Sequence, residues 1–260
     1  MAGVPFDDRG LTLGDGLFET ILARDGALRA PEAHLRRMAA GCDALGLPPP
    51  DPAAAMRLCR EALVRAGLSR GRAAVRLTLT AGSGGRGLDR PSTPAPVLFA
   101  TAAPAPAPAQ PARLIVAGTR RNDASPASRL KTLSYLDNVL ARREAAAAGA
   151  DEAVMLNTRG EAACAAAANL FWRSGERLFT PALACGVLDG IVRGAILAAA
   201  PAAGLVIEEI AAPAAALAAA DEMVLTNSLI GVRPVSALDG RGLEARDLAG
   251  RLAALAAAVL

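Results

Sequence analysis

Lys131 lies in a leucine-flanked stretch, LKTLSYL, of a chain whose basic residues are almost all arginine. Partial desolvation lowers the pKa of an ammonium group, so an amine in this setting can form a Schiff base with an aldehyde and shuttle a proton. Arginine cannot form that bond. Arg37 lies on the helical piece HLRRM (34–38), and its guanidinium fork suits a phosphate dianion. Gly190-Ile191-Val192 precedes a predicted helix, where free amide donors make a natural phosphate cradle. Asn227 and Ser228, in DEMVLTNSLIGVRPV (221–235), read by themselves as an Asn-Ser turn. Together these residues suit a phosphate-bearing aldehyde cofactor. A surface lysine ahead of a helix is the competing reading of Lys131.

His34 shares the face of Arg37 at i, i+3, and reads as a buried structural hydrogen-bonding group rather than a catalyst. Arg36 points about 100° away on the same helix and reads as solvated. As the chain's one histidine, His34 also excludes His-rich metal sites and His-pair acid/base schemes. Seven aromatic residues and a net charge of +3 leave little for stacking or gripping nucleic acid. Cys42, Cys59, Cys164 and Cys185 form no C-x-x-C, and the first residues, MAGVPFDDRG, carry no apolar secretory stretch. A reduced cytoplasmic protein is therefore expected, with no metal and no membrane span.

Gly82-Ser-Gly-Gly-Arg-Gly87 formally satisfies G-x-G-x-x-G after a strand-like run. A dinucleotide-binding turn must open a helix and be followed by an acid about 20 residues on, whereas LDRPSTPAP follows here. The reading that remains is a loop carrying Arg86 near a ligand, against an ordinary glycine-rich turn.

The elements that must position these groups follow from hydrophobic patterning and breakers. Up to about residue 100 the pattern predicts strands at Phe18–Ala23 and Ala74–Thr80, with helices at Pro31–Leu45 and Asp51–Ala66. APAPAPAQPA (103–112) cannot pair inside a sheet and marks a boundary. Beyond it, strands are predicted at Arg113–Ala117, Glu152–Leu156, Asn169–Arg173, Leu205–Ile210 and Glu222–Thr226. Helices are predicted at Tyr135–Ala148, Gly190–Ala200, Ala212–Ala219 and Asp247–Leu260. The expected organisation is a small N-terminal α/β domain (1–105), a linker (106–112) and a larger C-terminal α/β domain (113–260).

Read in order, DDRGLTLGDGLFET (7–20), HLRRM (34–38), LKTLSYLDNVLARREAAAAGADEAVML (130–156), NLFWRSGERLFTP with CGVLDGIVR (169–193) and DEMVLTNSLIGVRPV resemble the class IV aminotransferases. These are the pyridoxal-phosphate enzymes of fold type IV. The resemblance covers nearly the whole chain, and GSGGRG, NLFWRSG and TNSLIGVRPV look most like the aminodeoxychorismate lyases of that family. It implies a two-domain α/β (α+β) fold, D-amino-acid aminotransferase-like, with pyridoxal 5'-phosphate at the domain interface. It also implies a homodimer acting on a small amino substrate.

By the same resemblance Lys131 is the Schiff-base lysine. Arg37, the backbone at Ile191 and Val192, and Asn227 with Ser228 hold the phosphate. Thr20 is tied to a lyase reaction, while Phe18 and Arg86 face the substrate. The implied activity is elimination of pyruvate from 4-amino-4-deoxychorismate to give 4-aminobenzoate. The alternatives are transamination of D- or branched-chain amino acids, and a non-catalytic protein of the same fold.

Two departures stand out. Five residues before Asn169, where the family carries the glutamate that pairs with the pyridine nitrogen, this chain has Cys164. Either the ring works less protonated, or Glu161 reaches in through irregular backbone, or activity is reduced or repurposed. Ala81 replaces an arginine that many relatives turn toward the substrate, leaving Arg86, then Arg121 or Arg129, to supply that charge.

Overall fold

The computed structural model describes residues 4–84, 86–108, 110–244 and 246–260. The chain divides into two compact units. The first runs to Pro106 and also takes Leu130–Ser134; the second takes Ala107–Arg129 and Tyr135–Leu260. The changeover falls between Pro106 and Ala107, in the proline-rich stretch. The expected single block from residue 113 onward is corrected in one respect: the lysine segment leaves it and joins the first unit, because its backbone pairs there.

The first unit contains α1 (Arg9–Leu13), β1 (Gly16–Arg24), β2 (Ala27–Leu28), α2 (Pro31–Leu45), α3 (Pro52–Arg65), β3 (Arg72–Thr80) and β4 (Val97–Pro104). Its sheet is antiparallel, in the order β2-β1-β3-β4. Alternation along the strands sorts the residues onto two faces. Leu17, Ile21, Val75, Leu77 and Leu79 pack with Met38, Cys42, Ala55, Cys59 and Leu63 of the two long helices. The opposite face carries Phe18, Thr20, Arg76 and Thr78, with Phe18 across from Thr78 and Thr20 across from Arg76. Pro31 starts α2 where no amide donor is needed, with Glu32 in the first turn. Asp51 caps α3, its carboxylate accepting from the Ala54 amide at 2.7 Å.

The second unit contains β5 (Ala112–Val116), α4 (Leu136–Ala147), β6 (Glu152–Leu156), β7 (Ala162–Ala165), β8 (Asn169–Ser174), β9 (Arg177–Pro181) and α5 (Ile191–Ala199). It continues with β10 (Ile207–Ile210), α6 (Ala214–Ala218), β11 (Glu222–Asn227), β12 (Gly231–Leu238), β13 (Arg241–Gly242) and α7 (Leu248–Leu255). A mixed sheet runs β10-β9-β8-β11-β12-β5-β6-β7, with β13 on β12. The alanine blocks are packing devices. Ala141 and Ala145 of α4 are wholly buried against Ala153, Met155 and Ala163, where small side chains let helix and sheet approach closely.

The predicted strands and helices are present with ends shifted by a few residues. The strand expected from Leu205 starts at Ile207, and the last helix stops at Leu255 before a short 3₁₀ turn at Ala257–Val259. Strands β2, β4, β7, β9, β12 and β13 and helix α1 lie outside the predicted elements. Among the described residues no helix is long and apolar enough to cross a membrane, and no group of three or more His, Cys, Asp or Glu could hold a metal ion. All four cysteines are free and buried.

Candidate active site

Lys131 is the only lysine of the chain, and backbone pairing fixes its place. The Phe18 amide donates to the Lys131 carbonyl at 2.9 Å and the Leu133 amide to the Gly16 carbonyl at 3.0 Å. Thr132 bridges to Leu17 between them. Residues 131–133 thus extend the sheet along the first half of β1, which the two-residue β2 leaves uncovered because it pairs only with Ala23 and Arg24. The Lys131 ammonium lies 4.2 Å from the centre of the Phe18 ring. The Arg76 guanidinium lies 3.6 Å from the same ring centre. Phe18 is therefore a platform for two cations, with Thr20 next along its face.

Glu19 points the other way, into the helix layer, and is wholly buried. Its carboxylate accepts from Nε and Nη2 of Arg37 at 2.8 and 2.6 Å and meets Nδ1 of His34 at 2.6 Å. Burial pushes the Glu19 carboxyl upward, but the hydrogen bonds from His34 and Arg37 outweigh it and leave the group below its ordinary value. His34 is 1% exposed, as a structural group would be. Glu19 thus aims the expected phosphate-binding arginine. It was missed in the sequence, although a lone acid inside the apolar run GLFETILA is the signal that could have found it.

Arg76 was missed as well; its signal is the single charge within AAVRLTLT. Ala81, the position where the resemblance implies an arginine, is fully buried in the first unit's core, so Arg76 is the cation this sheet presents beside Lys131. Arg121 cannot stand in for it. It is 7% exposed, and its fork donates to the carbonyls of Gly186 and Ser128 and to Asn138 Oδ1. Asn138 in turn donates to the Ala166 carbonyl at 2.7 Å. Arg121 is therefore a buried tie among loops. Arg86 and Arg129 are exposed.

In the second unit, Gly190 is the N-cap of α5 and has no side chain to cap the amides that follow. A Cβ at Gly190 would meet Asn169 Oδ1 at 1.9 Å, so only glycine permits the turn. Asn169 donates to the Leu188 carbonyl at 2.9 Å and pins that turn to β8. Arg193 anchors the helix from below, donating to the Pro181 carbonyl at 3.1 Å and pairing with Glu209. Val192 brings only its backbone, because its side chain is buried in the apolar cluster around α5. The Asn227 side chain is fully engaged: it accepts from the amides of Leu229 and Ile230 and donates to the Ala167 carbonyl, each at 2.8 Å. Its role is to shape the turn that presents Ser228. The Thr226 hydroxyl, on the strand leading into that turn, is buried with no partner among the described residues. Helix-terminal amides and these hydroxyls form a donor set that fits phosphate oxygens.

Cys164 is buried on β7, across from Met155. Burial pushes its thiol up, against the pull of the Arg121 cation and helped by the Glu152 carboxylate, so it is neutral. Glu161, the alternative to Cys164, has its carboxylate engaged close to its own turn. The Glu161 carboxylate accepts from Asn157 Nδ2 at 2.7 Å and from Arg159 at 2.8 and 3.0 Å, and Cys185 Sγ lies 3.7 Å away. Those bonds, Arg159 foremost, hold it ionised and turned aside.

Residues 16–238 match the family described as amino-transferase class IV. A relative from Vibrio harveyi, an aminodeoxychorismate lyase, is 30% identical over 240 residues, 90% of this chain and 87% of its own. The crystal structure of 4-amino-4-deoxychorismate lyase from Pseudomonas aeruginosa superposes with a TM-score of 0.85 at 34% identity, covering 97% of this chain and 93% of that one. A hypothetical aminotransferase from Mycobacterium tuberculosis, in its PLP-bound form, gives a TM-score of 0.86 at 28% identity, covering 100% of this chain and 94% of that one.

Glu19→Gln should lower unfolding free energy by about 3–5 kcal/mol, because it leaves Arg37 and His34 facing a buried amide. Since the folded carboxyl titrates below its unfolded value of about 4.3, this contribution is complete above that pH and disappears as pH falls through the lowered native value. Urea denaturation should show the gap between wild type and Glu19→Gln narrowing below about pH 4 and constant from pH 6 to 8.

Proposed function

Because the chain belongs to the class IV aminotransferase family and has the fold of the fold-type IV pyridoxal-phosphate enzymes, we propose that it is a pyridoxal-phosphate-dependent 4-amino-4-deoxychorismate lyase. It eliminates pyruvate from that substrate to leave 4-aminobenzoate, a step of folate synthesis. The observation that carries this reading is the placement of the only lysine beside Phe18, Thr20 and Arg76 on one face of β1 and β3. When bound, pyridoxal phosphate supplies the aldehyde that takes the substrate amine and the electron sink that eases bond cleavage.

The chain's own residues do the rest. Nζ of Lys131 takes the proton from the substrate ring as the ring's C–O bond to the enolpyruvyl group breaks and the ring aromatises, and the departing enolpyruvate takes up a proton at its methylene carbon to become pyruvate. The Thr20 hydroxyl stands at the neighbouring position of the same face. Arg76 and Arg86 meet the substrate's carboxylates, replacing the guanidinium that Ala81 lacks. In the first unit Arg37, oriented by Glu19, offers its guanidinium to the phosphate; in the second, the amides of Ile191 and Val192 offer theirs, together with Ser228 in the turn shaped by Asn227. Cys164, being neutral, offers no anion to keep a pyridine nitrogen protonated. A reaction whose product is an aromatic ring asks least of the electron sink, and this favours elimination over transamination. Transamination of D- or branched-chain amino acids is the second reading, supported by the likeness to the Mycobacterium tuberculosis aminotransferase.

The protein acts in the cytoplasm as a homodimer. Leu136, Val139 and Leu140 support the dimer: they lie exposed at i, i+3, i+4 on α4 and form an apolar stripe that water alone would cover. Sedimentation should give twice the chain mass, and Leu136→Glu with Val139→Glu should yield monomer.

Purified protein with pyridoxal phosphate should release 4-aminobenzoate and pyruvate in equal amounts. Lys131→Ala should reduce turnover by at least about 10²-fold. Borohydride should fix the cofactor to the single lysine-containing peptide. An amino donor added without acceptor that converts the whole cofactor to its amine form, with no 4-aminobenzoate produced from the lyase substrate, would assign transamination instead.

A further inference from the structure

Gly82, Gly84 and Gly87 of the glycine-rich stretch that fails as a nucleotide motif lie around Arg9. Asp8 caps α1, accepting from the Gly10 and Leu11 amides at 2.7 and 3.2 Å, and its other oxygen accepts from the Thr80 hydroxyl at 2.7 Å. The Arg9 amide donates to the Gly82 carbonyl at 2.9 Å. This locks the short helix onto the end of β3 and sends the Arg9 side chain inward, where it is 4% exposed. A Cβ at Gly84 would meet Arg9 Cδ at 2.3 Å, so the glycine makes room for the arginine stem.

The Arg9 guanidinium is a clamp on three successive carbonyls. It donates to Leu88 at 2.6 Å, to Asp89 at 3.0 Å and to Gly87 at 3.4 Å. Its Nε donates to Asp15 Oδ2 at 2.9 Å. Arg90 closes the other end, donating to both Asp15 oxygens at 2.9 and 2.5 Å and to the Leu45 carbonyl. Arg90 foremost, then Arg9, holds the Asp15 carboxyl below the usual carboxylate range despite partial burial. Asp15 directly precedes Gly16, which pairs with Leu133, and Phe18, which pairs with Lys131. Arg86 is exposed next to the clamped carbonyls. The clamp and the lysine therefore share one end of β1.

We propose that Arg9 is a positioning residue for substrate recognition: by gripping the carbonyls of residues 87–89 it fixes Arg86 where a substrate carboxylate docks. The proposal rests on the lyase reading in which Arg86 meets the substrate. A buried arginine that only stabilised the fold would have no reason to act through Arg86.

The test is a double-mutant cycle in the 4-aminobenzoate assay. Arg86→Gln should raise KM about 10- to 100-fold, the loss expected for a charge-assisted contact. Arg9→Lys keeps the charge and stem but loses the fork; it should raise KM by a similar factor with kcat within about threefold. The double variant should be no worse than Arg86→Gln alone. Gly84→Ala, which displaces the Arg9 stem while leaving every charge in place, should reproduce the KM effect if Arg9→Lys folds poorly. Trypsin should cut after Arg86 at least about tenfold faster in both Arg9→Lys and Gly84→Ala than in wild type.

Multiplying KM effects in the cycle, or unchanged cleavage after Arg86, would overturn the positioning role while leaving the lyase reading intact. An unchanged KM in Arg86→Gln would overturn the substrate role of Arg86 and the proposal with it. Absence of 4-aminobenzoate from wild type would overturn the lyase reading; faster trypsin cleavage in that case would still establish the grip of Arg9 but not its purpose.

Discussion

The backbone pairing of residues 131–133 with residues 16–18 is the constraint on which the chemistry depends. A lysine side chain has four rotatable bonds, and its head can be placed only if its Cα is placed first. Here the main chain does this, through two hydrogen bonds and a bridge along the uncovered half of β1. The shortness of β2 is therefore functional: a longer β2 would pair with the part of β1 that the lysine segment occupies. The pairing also explains why five residues from the middle of the chain belong with its first hundred. The alternation of β1 then assigns tasks by parity. Phe18 and Thr20 face the lysine, while Glu19 faces the helices and aims Arg37.

Much of this was legible because local physics and fold agree. Pro31 and Asp51 mark helix starts that the structure reproduces to within a residue. The strands at Glu152 and Asn169 begin where their apolar runs begin. What was not legible involves either short elements or pairing between distant segments. AACA carries neither alternation nor branched side chains, so β7 exists only because β6 pairs with it. Helix α1 has five residues, too few for a period, and is held by Asp8 and the end of β3. The capture of Lys131 by β1 cannot be read from either segment alone. Glu19 and Arg76 were each visible as a charge in an apolar strand, but the partners that give them meaning come from α2 and from the lysine segment.

Arginine is used in two ways in this protein, and burial separates them. Arg9, Arg121 and Arg193 are almost fully buried; Arg9 and Arg121 direct most of their donors at backbone carbonyls, and Arg193 divides its own between the Pro181 carbonyl and carboxylates, so all three organise the chain around them. Arg76, over the Phe18 ring, and Arg86 are exposed, where a guanidinium can reach a carboxylate. This division corrects the expectation that Arg121 could replace the arginine missing at Ala81. Charge type alone could not have told the two sets apart, because the sequence offers arginine at nearly every basic position.

Cys164 shows how a substitution at a critical place need not carry a cost in folding. A carboxylate buried on β7 would need a compensating charge or several donors to offset its desolvation. The thiol needs none, and the surrounding alanines pack against it as against any small apolar group. The neighbouring Glu152 is instead the acid that pays for its position, its carboxyl pushed upward by burial although the Ala153 amide and Arg142 pull it back. Two ionised carboxylates so close together would disfavour one another, so a thiol at 164 also relieves Glu152. The second unit therefore has a quieter interior at this position than a carboxylate would leave it.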